Sequence, residues 1–167
     1  MKPLMDAERI LALARLFAYP ETWPDEGDLE KAGMSWRPAP EGRGPEPLQA
    51  EYVRLFINAL PETPSPPYGS FYLEGTLMGA STVKLRGLYT EKGFHTDEMP
   101  DHIAVELEFL GILCMASKHE EVGEGIEFLL DHLRSWTPRF FEQVSVHDQT
   151  GFYRELSRSA GALLQPY

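Results

Sequence analysis

The chain is short of several things that would narrow its function, and each shortage excludes something. It has a single cysteine, Cys114, so it can form no intrachain disulfide and no zinc or iron-sulfur site built from several thiolates. Basic side chains are scarce: 15 lysines and arginines stand against 26 aspartates and glutamates, a formal charge of −11. Such a field repels phosphate backbones and anionic headgroups, which argues against nucleic acid or a membrane surface as partner and favours a cationic peptide. No apolar run reaches the length of a bilayer span, so no membrane insertion is expected. The opening MKPLMDAERILALARLFAYP is interrupted by charges and reads as an amphipathic helix rather than a secretion signal, so the cytoplasm is the expected location. Period-two alternation is missing too, as are a G-x-S-x-G elbow, a glycine-rich phosphate loop, an H-E-x-x-H pair and an EF-hand loop.

What is present is helical periodicity punctuated by proline. At 167 residues, 43% of them hydrophobic, the chain suits one all-α domain with a real core. Ile10, Leu13, Ala14 and Phe17 recur at helical spacing after Asp6, and Tyr19-Pro20 closes that segment. A short helix is expected over residues 25–32, then the loop RPAPEGRGPEP. Leu48, Tyr52, Leu55, Phe56 and Leu60 form the next stripe, before PETPSPPYGS breaks the chain. Ser70 is expected to cap a stretch through Phe71, Tyr72 and Leu73, and a further helix spans about 81–91. TEKGFHTDEMP, residues 90–100, is polar and irregular and is the candidate hinge; a domain-swapped dimer or a monomer both fit it. Beyond it, Ile103, Leu107, Leu110, Leu113 and Cys114 share one face, and Ile126, Leu129, Leu130 and Leu133 repeat the pattern. Thr137-Pro138 reads as a new helix start, and Phe152, Leu156, Ala160, Leu163 and Leu164 make the last stripe.

The stretch MPDHIAVELEFLGIL concentrates the candidate chemistry. Asp101 follows Pro100 and precedes a helical run, so its simplest role is the N-cap of that helix, which does not exclude binding. His95, Asp97, Asp101, His102 and Glu106 could supply metal ligands, since His102 and Glu106 lie four residues apart on one helical face, but no specific motif supports a metal. His119-Glu120-Glu121 lacks a second histidine. Glu106 and Glu108 point to different sides: Glu108 reads as a solvated charge, and Glu106 as a partner for His102 or part of an acidic rim. Cys114 on the apolar stripe reads as a buried, unreactive thiol.

A second cluster surrounds the proline turn. Leu55 and Phe56 divide evenly between core and contact surface, whereas Tyr68 on its double-proline support suits a half-exposed contact residue.

Taken in order, EYVRLFINA, SPPYGSFY, LYTEKGF, MPDHIAVELEFLGIL and HLRSWTPRFF resemble the cytoplasmic chaperones of the TorD/DmsD/NarJ type, from about Tyr52 to the C-terminus. The resemblance implies a TorD-like helical fold, no catalysis and no cofactor. It implies as partners the apo-form of a molybdopterin oxidoreductase subunit and its leader, often a twin-arginine signal peptide. The family's peptide-binding positions fall on Tyr52, Leu55, Phe56, Pro67, Tyr68, Asp101 and His102, with Glu106 added from its place one turn on. Tyr52 and Tyr68 stand where several relatives have tryptophan. On this reading Asp101 is the first carboxylate for a peptide arginine, and His102 donates to the peptide or orients Asp101, with its protonation tuning binding near neutral pH. Two rivals remain: a small metal-dependent hydrolase using His95, Asp97, His102 and Glu106, and a helical adaptor with no role in leader recognition.

Overall fold

The computed structural model describes residues 5–37, 44–59, 62–116 and 122–166; the remainder of the RPAPEGRGPEP loop, Leu60 and His119 to Glu121 lie outside them. Among the described residues there is no β-strand, and the fold is all-α, as the periodicities require. In chain order the helices are α1 (Ala7–Phe17), α2 (Glu26–Lys31), α3 (Glu46–Tyr52), α4 (Gly69–Glu74), α5 (Ala80–Glu91), α6 (Ile103–Met115), α7 (Gly123–His147) and α8 (Phe152–Leu164).

The centre of the fold is α6. Its expected stripe of Ile103, Leu107, Leu110, Leu113 and Cys114 is buried, and so are Val105, Glu106 and Phe109 from other faces. A helix covered on nearly every side belongs in the middle of a core. Against it lies α1, started by the Asp6 carboxylate, which accepts the Arg9 amide at 3.1 Å. The two approach closely because Gly111 has no side chain: a Cβ there would stand 2.7 Å from Leu11 Cγ. On another side of α6 runs α7, packed in turn on α8 and α4. Fully buried Leu13, Leu107, Leu133 and Leu156 come from four of these helices. Each contributes about 1.5 to 3 kcal/mol by leaving water.

Local rules are overruled at three places. Thr137-Pro138 does not start a helix; both residues lie inside the 25-residue α7. Proline there forfeits an intrahelical bond at a cost of about 3 kcal/mol, but Leu133, Trp136, Phe140 and Val144 form one continuous stripe on either side, all with no exposed surface. Burying two aromatic rings outweighs one missing bond. Second, α3 does not run on as a plain α-helix. Residues Val53–Ile57 form a π-helical turn, closed by the Asn58 amide donating to the Val53 carbonyl at 2.8 Å. The wider turn keeps Leu55 and Phe56 inside while Ile57 remains 57% exposed. Third, Ser70 is not a cap: α4 begins at Gly69 with Tyr68 in the capping position.

The 90–100 segment is irregular beyond Glu91, the last residue of α5. It is tacked down at two points. Phe94 packs edge-on to Tyr89 and tilted against Phe109, and the Tyr89 hydroxyl donates to the Pro100 carbonyl at 2.7 Å.

Candidate functional site

Two chain segments far apart in sequence are sewn together at the centre of the conspicuous surface. The Pro66-Pro67-Tyr68 turn runs antiparallel to Asp101-His102-Ile103, forming an isolated bridge between Tyr68 and His102. The Ile103 amide donates to the Pro67 carbonyl at 2.9 Å, and the Gly69 amide donates to the Asp101 carbonyl at 3.1 Å. The Asp101 carboxylate adds a third link, accepting the Ser70 amide at 2.8 Å. Asp101 therefore caps a helix, but that helix is α4, not the α6 that follows it in sequence. Gly69 is obligatory for this fit, since a Cβ would lie 2.9 Å from both His132 Cε1 and Trp136 Nε1.

The cap of α6 is His102. Its Nδ1 accepts the Ala104 amide at 3.0 Å, and its Nε2 lies 3.3 Å from the Tyr52 hydroxyl. Because Nδ1 is an acceptor, the neutral ring carries its proton on Nε2 and donates it to Tyr52. Burial pushes the imidazole down to about 4, against the opposing pull of the Glu98 and Asp101 charges. His102 is thus neutral throughout the physiological range, with both nitrogens engaged. The Tyr68 ring stands edge-on to it with centroids 5.3 Å apart. Tyr68 itself is half-buried, and burial followed by the neighbouring Glu98 and Asp101 charges pushes its hydroxyl up to about 12.

This junction forms the wall between two adjoining cavities. The first, about 560 Å³, is lined by Tyr52, Tyr68 and His102, by Leu11 and Ala14 of α1 and Tyr19 beyond its end, and by the carboxylates Glu98 and Glu108. Arg15 also reaches it, but its guanidinium is held by Asp28, with Nε at 3.0 Å from Oδ1 and Nη2 at 2.6 Å. The second cavity, about 740 Å³, has Ile57, Pro66, Phe71 and Leu77 on its walls and Glu62 at its rim. Phe56, Ile57 and Tyr68 belong to both. Tyr52 is braced from behind by edge-on contacts with Tyr19 and Phe56, at 5.5 and 4.9 Å between centroids. The π-turn carrying Phe56 and Ile57 is anchored where Arg54 pairs with Glu51 at 2.6 Å and reaches the His147 carbonyl.

Both the sequence and the all-helical fold are matched among known proteins. A profile of the nitrate reductase delta subunit family matches residues 26–142. The chain belongs to this family, the TorD/DmsD/NarJ group. It is 30% identical to the chaperone protein TorD of Vibrio parahaemolyticus over 66% of this chain and 58% of that one. It is 34% identical to the Tat proofreading chaperone DmsD of Salmonella typhi over 69% of this chain and 57% of that one. The chain therefore spans less than two thirds of the length of these curated relatives. A crystal structure described as that of a redox enzyme maturation protein from Archaeoglobus fulgidus superposes with a TM-score of 0.67 at 30% identity, over 96% of this chain and 94% of that one.

In this family member the residues singled out from sequence divide into three groups. Tyr52, Phe56, Pro67, Tyr68 and His102 line the first cavity. Leu55 and Asp101, each with no exposed surface, lie behind the wall. Asp101 is therefore closed off from solvent in this conformation, and both ring nitrogens of His102 are engaged within the protein. Glu106 lies elsewhere. It is fully buried, pairs with neither His102 nor any rim, and accepts from Trp136 Nε1 at 3.0 Å and from His132 Nδ1. Burial raises Glu106 to about 7 against the contrary pull of these two partners. Burial lowers His132, but its hydrogen bond to Glu106 and the charges of Glu106, Asp101 and Glu74 outweigh this and leave it raised.

The metal-hydrolase reading loses its ligands. Among the described residues no three of histidine, cysteine, aspartate and glutamate are placed to hold an ion. His95 and Asp97 are exposed on another wall, and His102 and Glu106 are committed to the partners above. Cys114 is buried, which pushes its thiol up to about 11. No described helix is long and apolar enough to cross a membrane. Sequence reasoning missed Glu98, Ile57, Phe71 and Leu77 as groove residues. Only Ile57 left a signal, an apolar side chain falling off its helix's stripe.

Proposed function

We propose that this chain is a system-specific, non-enzymatic chaperone of the cytoplasm. It holds the N-terminal or twin-arginine signal region of a molybdenum-cofactor oxidoreductase subunit while the subunit folds and takes up its cofactor. Family membership supports the general class, and the paired cavities carry the specific reading. A signal of this kind is a basic start followed by an apolar segment. Its receptor needs carboxylates beside an aromatic-aliphatic groove, and both cavities combine the two, with Glu98 and Glu108 on the first and Glu62 on the second. The preformed turn, held by three hydrogen bonds to residues 101–103, lowers the ordering cost of binding.

The test is co-purification with the oxidoreductase subunit encoded nearest to this chain, with its leader intact and with the leader deleted. Capture that depends on the leader is the expected result. Equal capture of both forms would favour the adaptor reading, and no capture of either would end the chaperone one.

A further inference from the structure

We infer that the groove takes a two-part peptide, with the cationic part held between Glu98 and Glu108 and the apolar part seated on Ile57, Phe71 and Leu77. This rests on the peptide-binding reading above and adds to it the side chains responsible for each part.

The assignment begins with elimination by burial. Asp101 and Glu106 have no exposed surface, and both are occupied by groups of the protein itself. Asp28 is tied to Arg15, and that pair cancels its own charge beside the first cavity. Glu98 and Glu108 are the exposed carboxylates left on that cavity's lining. They come from different elements: Glu98 from the irregular segment before α6, Glu108 from the outer face of α6. Glu98 is held in place by the Met99 amide, which its Oε1 accepts at 2.9 Å, and by the neighbouring Tyr68 hydroxyl, while the residue itself remains exposed. Three tyrosines, Tyr19, Tyr52 and Tyr68, supply ring faces and hydroxyls around the same space, the usual company of a guanidinium. The whole chain, at −11, adds a long-range field of the same sign.

The second cavity carries a group of exposed apolar side chains, with the carboxylate Glu62 also on its lining. Ile57, Phe71 and Leu77 are 57, 41 and 47% exposed, a concentration of apolar side chains facing water on one wall. Beside Leu77, Met78 has a left-handed backbone, φ 60°, while its side chain is 64% exposed. A non-glycine residue held in that conformation with no burial of its own is strain kept where a partner would repay it. Two exposed carboxylates in the first cavity and uncovered apolar side chains in the second place the basic part of the occupant in one and its apolar part in the other.

The experiment uses the full chain and three synthetic peptides: paired arginines followed by a leucine-alanine run, the same residues in reverse order, and the forward peptide with glutamines for the arginines. Titrations are made against wild type, Glu98→Gln, Glu108→Gln, the double variant and Leu77→Ser, at low and high salt. The forward peptide is expected to bind roughly tenfold or more tightly than the arginine-free one at low salt, and the reversed one, which can lay its arginines on the same carboxylates, is expected to keep the dependence on Glu98 and Glu108. Each glutamine variant should weaken the forward peptide roughly threefold to tenfold at low salt and less at high salt, and should leave the arginine-free peptide unaffected. Leu77→Ser should weaken both forward peptides alike and at both salts. Equal affinity for the forward and the arginine-free peptide at low salt, or equal losses with and without the arginines, would overturn the inference while leaving peptide binding intact. Failure of the wild type to bind any of the three would remove the inference and the peptide-binding reading together.

Discussion

Replacing Asp101 separates a structural carboxylate from a ligand-binding one. Asp101 accepts the Ser70 amide at 2.8 Å, and both residues are fully buried. Asp101→Ala leaves that amide without a partner, at a cost of about 1 to 3 kcal/mol, and the lost bond was charge-assisted. Part of this is returned, because Asp101 Oδ1 is buried with no partner among the described residues and its desolvation is relieved. A net loss of about 1 to 3 kcal/mol follows, which for a chain of this size lowers the melting temperature by roughly 3 to 10 °C. The damage should be local. At six residues α4 cannot stand as a helix unaided, and its Tyr68 end should loosen first, carrying the groove wall with it.

The informative variant is Asp101→Asn. A neutral amide oxygen can still accept from Ser70, so the turn should survive with a loss of about 1 kcal/mol or less, and affinity for an arginine-bearing leader should change less than twofold at either salt concentration. Thermal melts and peptide titrations on the same preparations give both numbers. If Asp101→Asn melts like the wild type but loses tenfold or more in affinity, and loses it mainly at low salt, then Asp101 meets the peptide directly and its buried position is not the one that binds.

Three further outcomes are expected. Relative to a Glu106→Gln/His132→Gln variant, wild-type stability should decline as pH rises from about 5 past 7. Glu106 and His132 are both raised in the fold, so the native state keeps protons that the unfolded chain gives up, and stability falls with pH; a flat difference between melts at several pH values would contradict it. Glu106→Ala should cost about 3 to 5 kcal/mol in urea denaturation, because it strands a buried His132 and the Trp136 indole N–H; a cost under about 1 kcal/mol would mean that water reaches the site. Gly69→Ala should cost about 1 to 3 kcal/mol through its clash with His132 and Trp136, and should alter the near-ultraviolet circular dichroism of the tryptophan; an unchanged spectrum and melt would show that α4 shifts freely.

The sequence is most legible where one helix buries one face. Ile10, Leu13 and Phe17 on α1, and Leu156, Ala160 and Leu164 on α8, are buried because a 3.6-residue period leaves them on the inner side. The period loses its voice in α6, where the stripe is real but the rest of the helix is covered as well, and in α7, where a local proline signal is outweighed by Trp136 and Phe140. The π-turn at Val53–Ile57 has no sequence signature of its own. It appears only when Leu55 and Phe56 must both reach the core while Arg54 turns back to Glu51 and the His147 carbonyl.

The site shows why capping rules find the right residue and the wrong helix. A carboxylate satisfies whichever open amide geometry brings to it, and the nearest helix start in space need not be the nearest in sequence. Pro66 and Pro67 hold the preceding turn extended, which brings the Ser70 amide to Asp101. His102, freed from that task, takes the cap of α6 with Nδ1 and so fixes its own tautomer. One consequence runs through to recognition. With Asp101 spent on α4 and His102 spent on α6 and Tyr52, the Pro-Asp-His motif builds the wall between the cavities, and under the proposed function selection among peptides would fall to side chains around it that no contiguous motif contains. Relatives can keep that wall while changing the residues at the positions of Glu98, Glu108, Ile57 and Leu77. Transplanting those four side chains onto a relative should therefore carry leader preference with them, whereas exchanging the Pro-Asp-His segment should change stability and leave preference where it was.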